Sequence, residues 1–167
     1  VPMIAELPGR GRADRIAVSL GPGSFTGVRI GLAAARALGL AWGAEVVGYP
    51  TLALIAAMAR ASHPDAVTVC MTGGHGEWFL QHFDPAGMPE GEVQSLSPEK
   101  ACQATNHSVI AGSKAEALVG QALNGQIALN LLPDAQELIR LPEALLTRDL
   151  APLYGRAPDA RLPEPAR

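Results

Sequence analysis

The segment GPGSFTG, residues 21–27, joins the apolar run RIAVSL (15–20) to VRIGLAAARALGLAW (28–42). A glycine-rich turn between a β-prone run and a run of helix length sets a strand, a tight turn and a helix in series. The next residues repeat the theme. AEVVGYP (44–50) reads as a second short strand stopped by Pro50, and TLALIAAMARA (51–61) as a helix with Thr51 as its N-cap. Strand and helix alternating in this way are the pattern of a parallel α/β layer.

The turn admits two roles. A helix N-terminus offers unpaired N–H groups to an anion, Gly21, Gly23 and Gly27 would let a backbone approach closely, and Gly21, Gly23 and Ser24 are the candidate phosphate-binding turn. However, the segment lacks the Lys-Ser/Thr ending of a Walker A loop, and its glycine spacing misses the dinucleotide fingerprint by one residue. The alternative is purely structural: Gly21 ends the strand, Pro22 stiffens the turn and Ser24 caps the helix.

The helix that follows carries a pattern of its own. Gly27, Gly31, Ala35, Gly39 and Gly43 recur every four residues and form one stripe. Glycine inside a helix costs about 1 kcal/mol against alanine, so the stripe needs a compensating close approach. Arg29 and Arg36 are the only charges over 25–42. Such a helix calls for cover on two sides, one its own sheet and the other a second helix or a partner molecule.

After the turn cluster SHPDA (62–66), the runs VTVCM and EWFLQHFD flank GGHG as a hairpin, and GEVQSLS adds a third strand. Helices are expected over 98–104 and over SKAEALVGQAL with Ser113 as N-cap. HSVIAG and QIALNLL read as strands, and PDAQELIRLPEALL starts a helix with Pro133 at its first position. The second part therefore reads βββαβαβα, a mixed sheet with helices on its faces. The tail RAPDARLPEPAR is rich in proline.

The formal charge of −3, with no Lys/Arg run, offers no basic field for nucleic acid or an anionic membrane. Aromatics are 4% of residues, so the core must be built from small side chains. Cys70 and Cys102 read as reduced core thiols rather than a disulfide framework. No apolar run has membrane-span length and no signal peptide opens the chain, so a cytoplasmic protein is expected. His63, His75, His82 and His107 lack the spacing of a helical metal pair, and no Gly-x-Ser-x-Gly elbow exists. Glu77 sits in the hairpin turn, where polarity alone explains a carboxylate.

The stretch GPGSFTGVRIGLAAARALGLAWGAEVVGYPTLALIA closely resembles the segment that marks the TsaB family, and weaker likeness runs from PMIAEL to APLYGRAPDA. The resemblance implies an α/β, actin-like or ribonuclease H-like fold of two lobes with mixed sheets, here about 1–61 and 62–167. It implies a non-catalytic subunit in the threonylcarbamoylation of tRNA adenosine next to the anticodon. The partners implied are a TsaD-like catalytic subunit and a TsaE-like ATPase, with a homodimer also open to it and tRNA reached only through the complex. No cofactor and no metal belong to this chain, since ATP is used by the complex. The helix after the glycine turn lies at the subunit interface in such pairs, which singles out Phe25, Gly27, Arg29, Ile30, Gly31, Ala34, Ala35 and Leu38.

Three departures from the family pattern stand out. Its opening strands and their Asp-Thr-Ser turn are missing, so the first lobe is expected to be incomplete and the chain to start inside a helix. Met71-Thr72-Gly73-Gly74 replaces an acidic-Ala-Arg segment, and Gly155 replaces a leucine. Two enzymatic readings compete with the docking subunit: a nucleotide-dependent transferase using residues 21–27, and a glycoprotease-like peptidase.

Overall fold

A computed structural model describes residues 2–122 and 125–155. After a short helix α1 (Pro2–Ala5), strand β1 (Arg15–Gly21) lies parallel to β2 (Glu45–Pro50). Their connection is α2 (Phe25–Trp42), which packs on the pair, and α3 (Thr51–Arg60) follows directly. The turn before α2 behaves as its residues dictate. Ser24 Oγ accepts the Gly27 N–H at 3.3 Å, capping the helix.

The second sheet has five strands in the order β5-β4-β3-β6-β7. They are β3 (Val67–Thr72), β4 (Trp78–Phe83), β5 (Gln94–Leu96), β6 (Val109–Ala111) and β7 (Ile127–Leu129). β3, β4 and β5 form an antiparallel meander, whereas β6 runs parallel to β3 and β7 parallel to β6. The parallel strands need crossovers, which α4 (Pro98–Ala104) and α5 (Ala115–Ala122) supply.

Period-two alternation sorts this sheet's side chains between two cores. Val67, Val69, Phe79, Phe83, Val109 and Ala111 join the buried residues of α3. Cys70, Trp78, Leu80 and Ile110 join Ala101, Ala115 and Leu118 of α4 and α5. α3 carries eight buried residues, which explains why its sequence is apolar all round.

The C-terminal segment returns to the first sheet. Gly48 N–H donates to the Thr147 carbonyl at 2.7 Å, and Thr147 N–H returns a bond to Gly48 at 3.0 Å. Further on, Leu153 N–H donates to the Leu20 carbonyl at 2.8 Å. Residues 147–155 thus strap the free edge of β2 and the end of β1.

The structure corrects three local expectations. Thr51 does not cap α3: Pro50 holds the N-cap position, and the Thr51 hydroxyl bonds Ser19 Oγ at 2.6 Å. Ser113 does not cap α5; its oxygen instead accepts the Thr72 N–H at 3.1 Å, tying the end of β3 to the next loop. Residues 133–146 form two short 3-10 turns, Ala135–Arg140 and Glu143–Leu145, and not a helix beginning at Pro133. Pro142 disfavours helical geometry at Leu141, which is extended, and Asp134 caps the first turn by accepting the Gln136 N–H. Of the proline-rich tail, residues 156–167 lie outside the described residues.

Candidate functional site

α2 has two unlike faces. Leu32, Ala35 and Gly39 are buried beneath it, where β1 and β2 lie. A Cβ on Gly39 would run into Val46 Cγ2, so glycine is what lets the helix sit this close to β2. A Cβ on Gly31 would meet Val18 Cγ2 of β1 at 3.9 Å. Gly31, Ala35 and Gly39 of the small-residue stripe therefore face the chain's own sheet, whereas Gly27 is exposed. Gly43 lies beyond the stripe as the left-handed C-cap, with φ +67°.

This placement divides the residues singled out for the interface. Phe25, Gly27, Arg29, Ile30 and Ala34 are exposed, whereas Gly31 and Leu38 are half-buried and Ala35 is buried. Stripe reasoning also passed over Ala33, Ala37 and Leu40, all exposed. Ile30 is 64% exposed and Leu40 89%, large values for aliphatic side chains. Ile30, Ala33, Ala37 and Leu40 follow the 3-4-3 spacing of a helix-packing seam, and that spacing was the signal available in the sequence.

Two cations edge this face. The Arg29 guanidinium lies 3.6 Å from the Phe25 ring centroid and its Nη2 donates to the Tyr154 hydroxyl at 3.0 Å. Arg36 Nη2 donates to the Leu150 carbonyl at 3.2 Å. Among the described residues, neither arginine meets a carboxylate.

The glycine turn borders a shallow cleft of about 270 Å³ between β1, α2 and the start of α3. Its polar lining is neutral, chiefly Ser19, Ser24 and Thr51. Ser19 and Thr51 bond one another, and the Ser24 hydroxyl is taken by the helix cap. Gly23 and Ser24 are exposed while Gly21 lies buried under the strap. The arrangement can offer first-turn N–H groups to an anion, but no side-chain cation lines it.

The sheet topology assembles a second polar group. Thr68 is fully buried, and its Oγ1 lies 2.9 Å from His82 Nδ1 and 3.3 Å from His107 Nδ1. His107 Nε2 is 3.2 Å from Glu90, and the two imidazoles meet edge to face. Burial, with the neighbouring His107, holds the His82 pKa below its ordinary value. Burial also pushes the Cys70 thiol up to about 12, as befits a core thiol, and among the described residues Cys70 and Cys102 are both free. Glu77 accepts the Ser95 hydroxyl at 2.7 Å. Among the described residues no three His, Cys, Asp or Glu side chains are placed to hold a metal, and no helix is long and apolar enough to cross a membrane.

Known proteins share this architecture. The family model described as TsaD, tRNA N6-adenosine threonylcarbamoyltransferase, matches residues 10–129. YeaZ from Pseudomonas aeruginosa is 27% identical with a TM-score of 0.68, over 83% of this chain and 71% of that one. A second solved structure, an uncharacterized Pseudomonas aeruginosa protein described as similar to peptidase YEAZ, is also 27% identical. Its TM-score is 0.67, over 83% of this chain and 70% of that one. With its mixed sheets and the actin-like α/β architecture, the chain belongs to the TsaD family as a YeaZ-like, or TsaB-like, member.

Proposed function

We propose that this chain is a non-catalytic subunit of a tRNA threonylcarbamoylation complex, docking onto a TsaD-like catalytic subunit through the outer face of α2. The observation that carries this reading is the exposed apolar seam Ile30-Ala33-Ala37-Leu40 on a helix whose opposite face, at Leu32, Ala35 and Gly39, is buried. Contiguous apolar surface of this kind favours burial against a partner. The family match supplies the reaction in which the complex acts, the transfer to tRNA adenosine. A TsaE-like ATPase completes the assembly, ATP is used within the complex, and tRNA reaches this chain only through it.

A nucleotide-dependent transferase is the second reading, and the cleft at the α2 N-terminus is what favours it. Reconstitution separates the two. The isolated chain should transfer no threonylcarbamoyl group to tRNA, and adding it to the catalytic subunit and ATPase should raise their turnover. Ser24→Ala should leave that stimulation intact. Transfer by the isolated chain that is lost in Ser24→Ala would overturn the docking role.

A further inference from the structure

The second sheet brings Glu90, His107, Thr68 and His82 into one chain of polar contacts, and their protons can be counted. Thr68 Oγ1 carries one proton and lies within bonding distance of Nδ1 on both rings. One Nδ1 can accept that proton, so the other must donate its own N–H to the oxygen. Glu90 takes an N–H from His107 Nε2. The Ala104 carbonyl takes another from His82, and with Nδ1 turned to Thr68 that donor is Nε2. The arrangement asks for three N–H groups, whereas two neutral imidazoles supply two. It is complete only when the pair holds one extra proton. A second extra proton leaves the Thr68 proton without a ring to accept it and sets like charges on rings whose centroids are 5.2 Å apart.

The ring that touches the carboxylate is His107, and burial, followed by His107 itself, disfavours charge on His82. The titratable groups acting on His82 are His107 and Glu90. Of the other groups on the elements packed here, Glu92, Glu99, Lys100 and Glu116 are exposed. Asp84 accepts the Met88 N–H, Lys114 lies over Trp78, and burial keeps the Cys70 and Cys102 thiols protonated. The contacts join separate connections. Glu90 lies in the loop between β4 and β5, and its N–H donates to the His82 carbonyl at 3.0 Å. His107 lies in the link from α4 to β6, and its carbonyl accepts from Gln126 Nε2 at 2.8 Å.

We propose that Thr68, His82, His107 and Glu90 form a proton-operated latch, closed by one extra proton on His107, that ties the β4–β5 loop to the α4–β6 link. Loss of that proton removes the charge facing Glu90, and gain of a second, on His82, breaks the bond from Thr68. The latch is independent of the docking role of α2.

The test uses the full chain labelled with ¹⁵N, titrated from about pH 9 to about pH 5, the range in which histidine charges. Two-bond ¹H–¹⁵N spectra of the imidazoles read each ring's protonation and tautomer. The first proton should enter His107, giving it two N–H groups, while His82 stays neutral with its proton on Nε2. Amide exchange, corrected for its intrinsic pH dependence, should slow in the β4–β5 loop as the first proton binds and quicken as the second does. Amides of α3 should not follow. Glu90→Gln should lower the pH at which His107 takes its proton and reduce the loop's maximal protection about two- to fivefold, the size of a partly exposed ion pair. A first proton on His82, an Nδ1–H tautomer of His82, or two rings that titrate together as in the unfolded chain would each overturn the proposal. Loop exchange that changes only in step with α3 would also overturn it, since the event would then be global unfolding.

Discussion

Gly39 packs so closely against Val46 that a Cβ at residue 39 and the valine Cγ2 could not coexist. Gly31, two turns earlier on the same stripe, has 3.9 Å of clearance to Val18. The same substitution should therefore act with opposite sign at the two positions. Gly39→Ala should destabilise the fold, since overpacking costs about 1–3 kcal/mol and the propensity gain is just under about 1 kcal/mol. Gly31→Ala keeps the propensity gain without the clash and should stabilise by up to about 1 kcal/mol. Urea denaturation of the two variants beside wild type checks the pair, and equal shifts would contradict this packing.

The Thr68 hydroxyl has one proton and faces two ring nitrogens. Thr68→Val removes the shared partner in a fully buried position and leaves both Nδ1 atoms without it. Such a loss costs about 1–3 kcal/mol, readable as a lower urea midpoint with an unchanged slope.

The depressed His82 pKa gives that cluster a pH dependence with a defined sign. The folded state binds its proton less readily than the unfolded chain, whose reference value is 6.5. The His82 contribution is thus fully present above that value and is lost as pH falls through it toward the folded pKa. Stability measured from pH 8 to pH 5 should fall less steeply in His82→Gln than in wild type. Parallel curves would show that His82 does not titrate differently on folding.

Gly155 stands where the resembled family carries leucine, yet here a Cβ would lie 2.5 Å from Phe79 Cε1 and 3.1 Å from Pro22 Cβ. Restoring leucine should therefore loosen the strap rather than improve it. Gly155→Leu is expected to lower the melting temperature, with overpacking of about 1–3 kcal/mol as the cause. A variant that melts at or above wild type would show that the strap has room to shift.

The elements set by local pattern were legible in the sequence. The helix over 25–42, its Ser24 cap, the hairpin around GGHG and the helix over 98–104 follow from period, capping and turn chemistry. What escaped depends on which residues the sheets bring together. A four-residue stripe marks a close contact but does not say with what, and only the β1–β2 pairing shows that it faces inward. His82 and His107 are 25 residues apart and meet because Thr68 pairs with His82 across β3–β4 while β6 lies on the other side of β3. Thr51 and Ser113 have the right chemistry for caps, but tertiary partners, Ser19 and Thr72, take their hydroxyls first.

The proposed docking role turns most directly on Leu40, an aliphatic side chain that is 89% exposed at the C-terminal end of the α2 seam. Replacing it with glutamate touches no buried contact, so the melting temperature should stay close to that of wild type, as for most surface substitutions. Sedimentation of the chain with the proposed partner, a TsaD-like catalytic subunit, is the decisive measurement. The account predicts a complex with the wild-type chain and two separate species with Leu40→Glu. A Leu40→Glu chain that sediments in the complex as fully as wild type would contradict it.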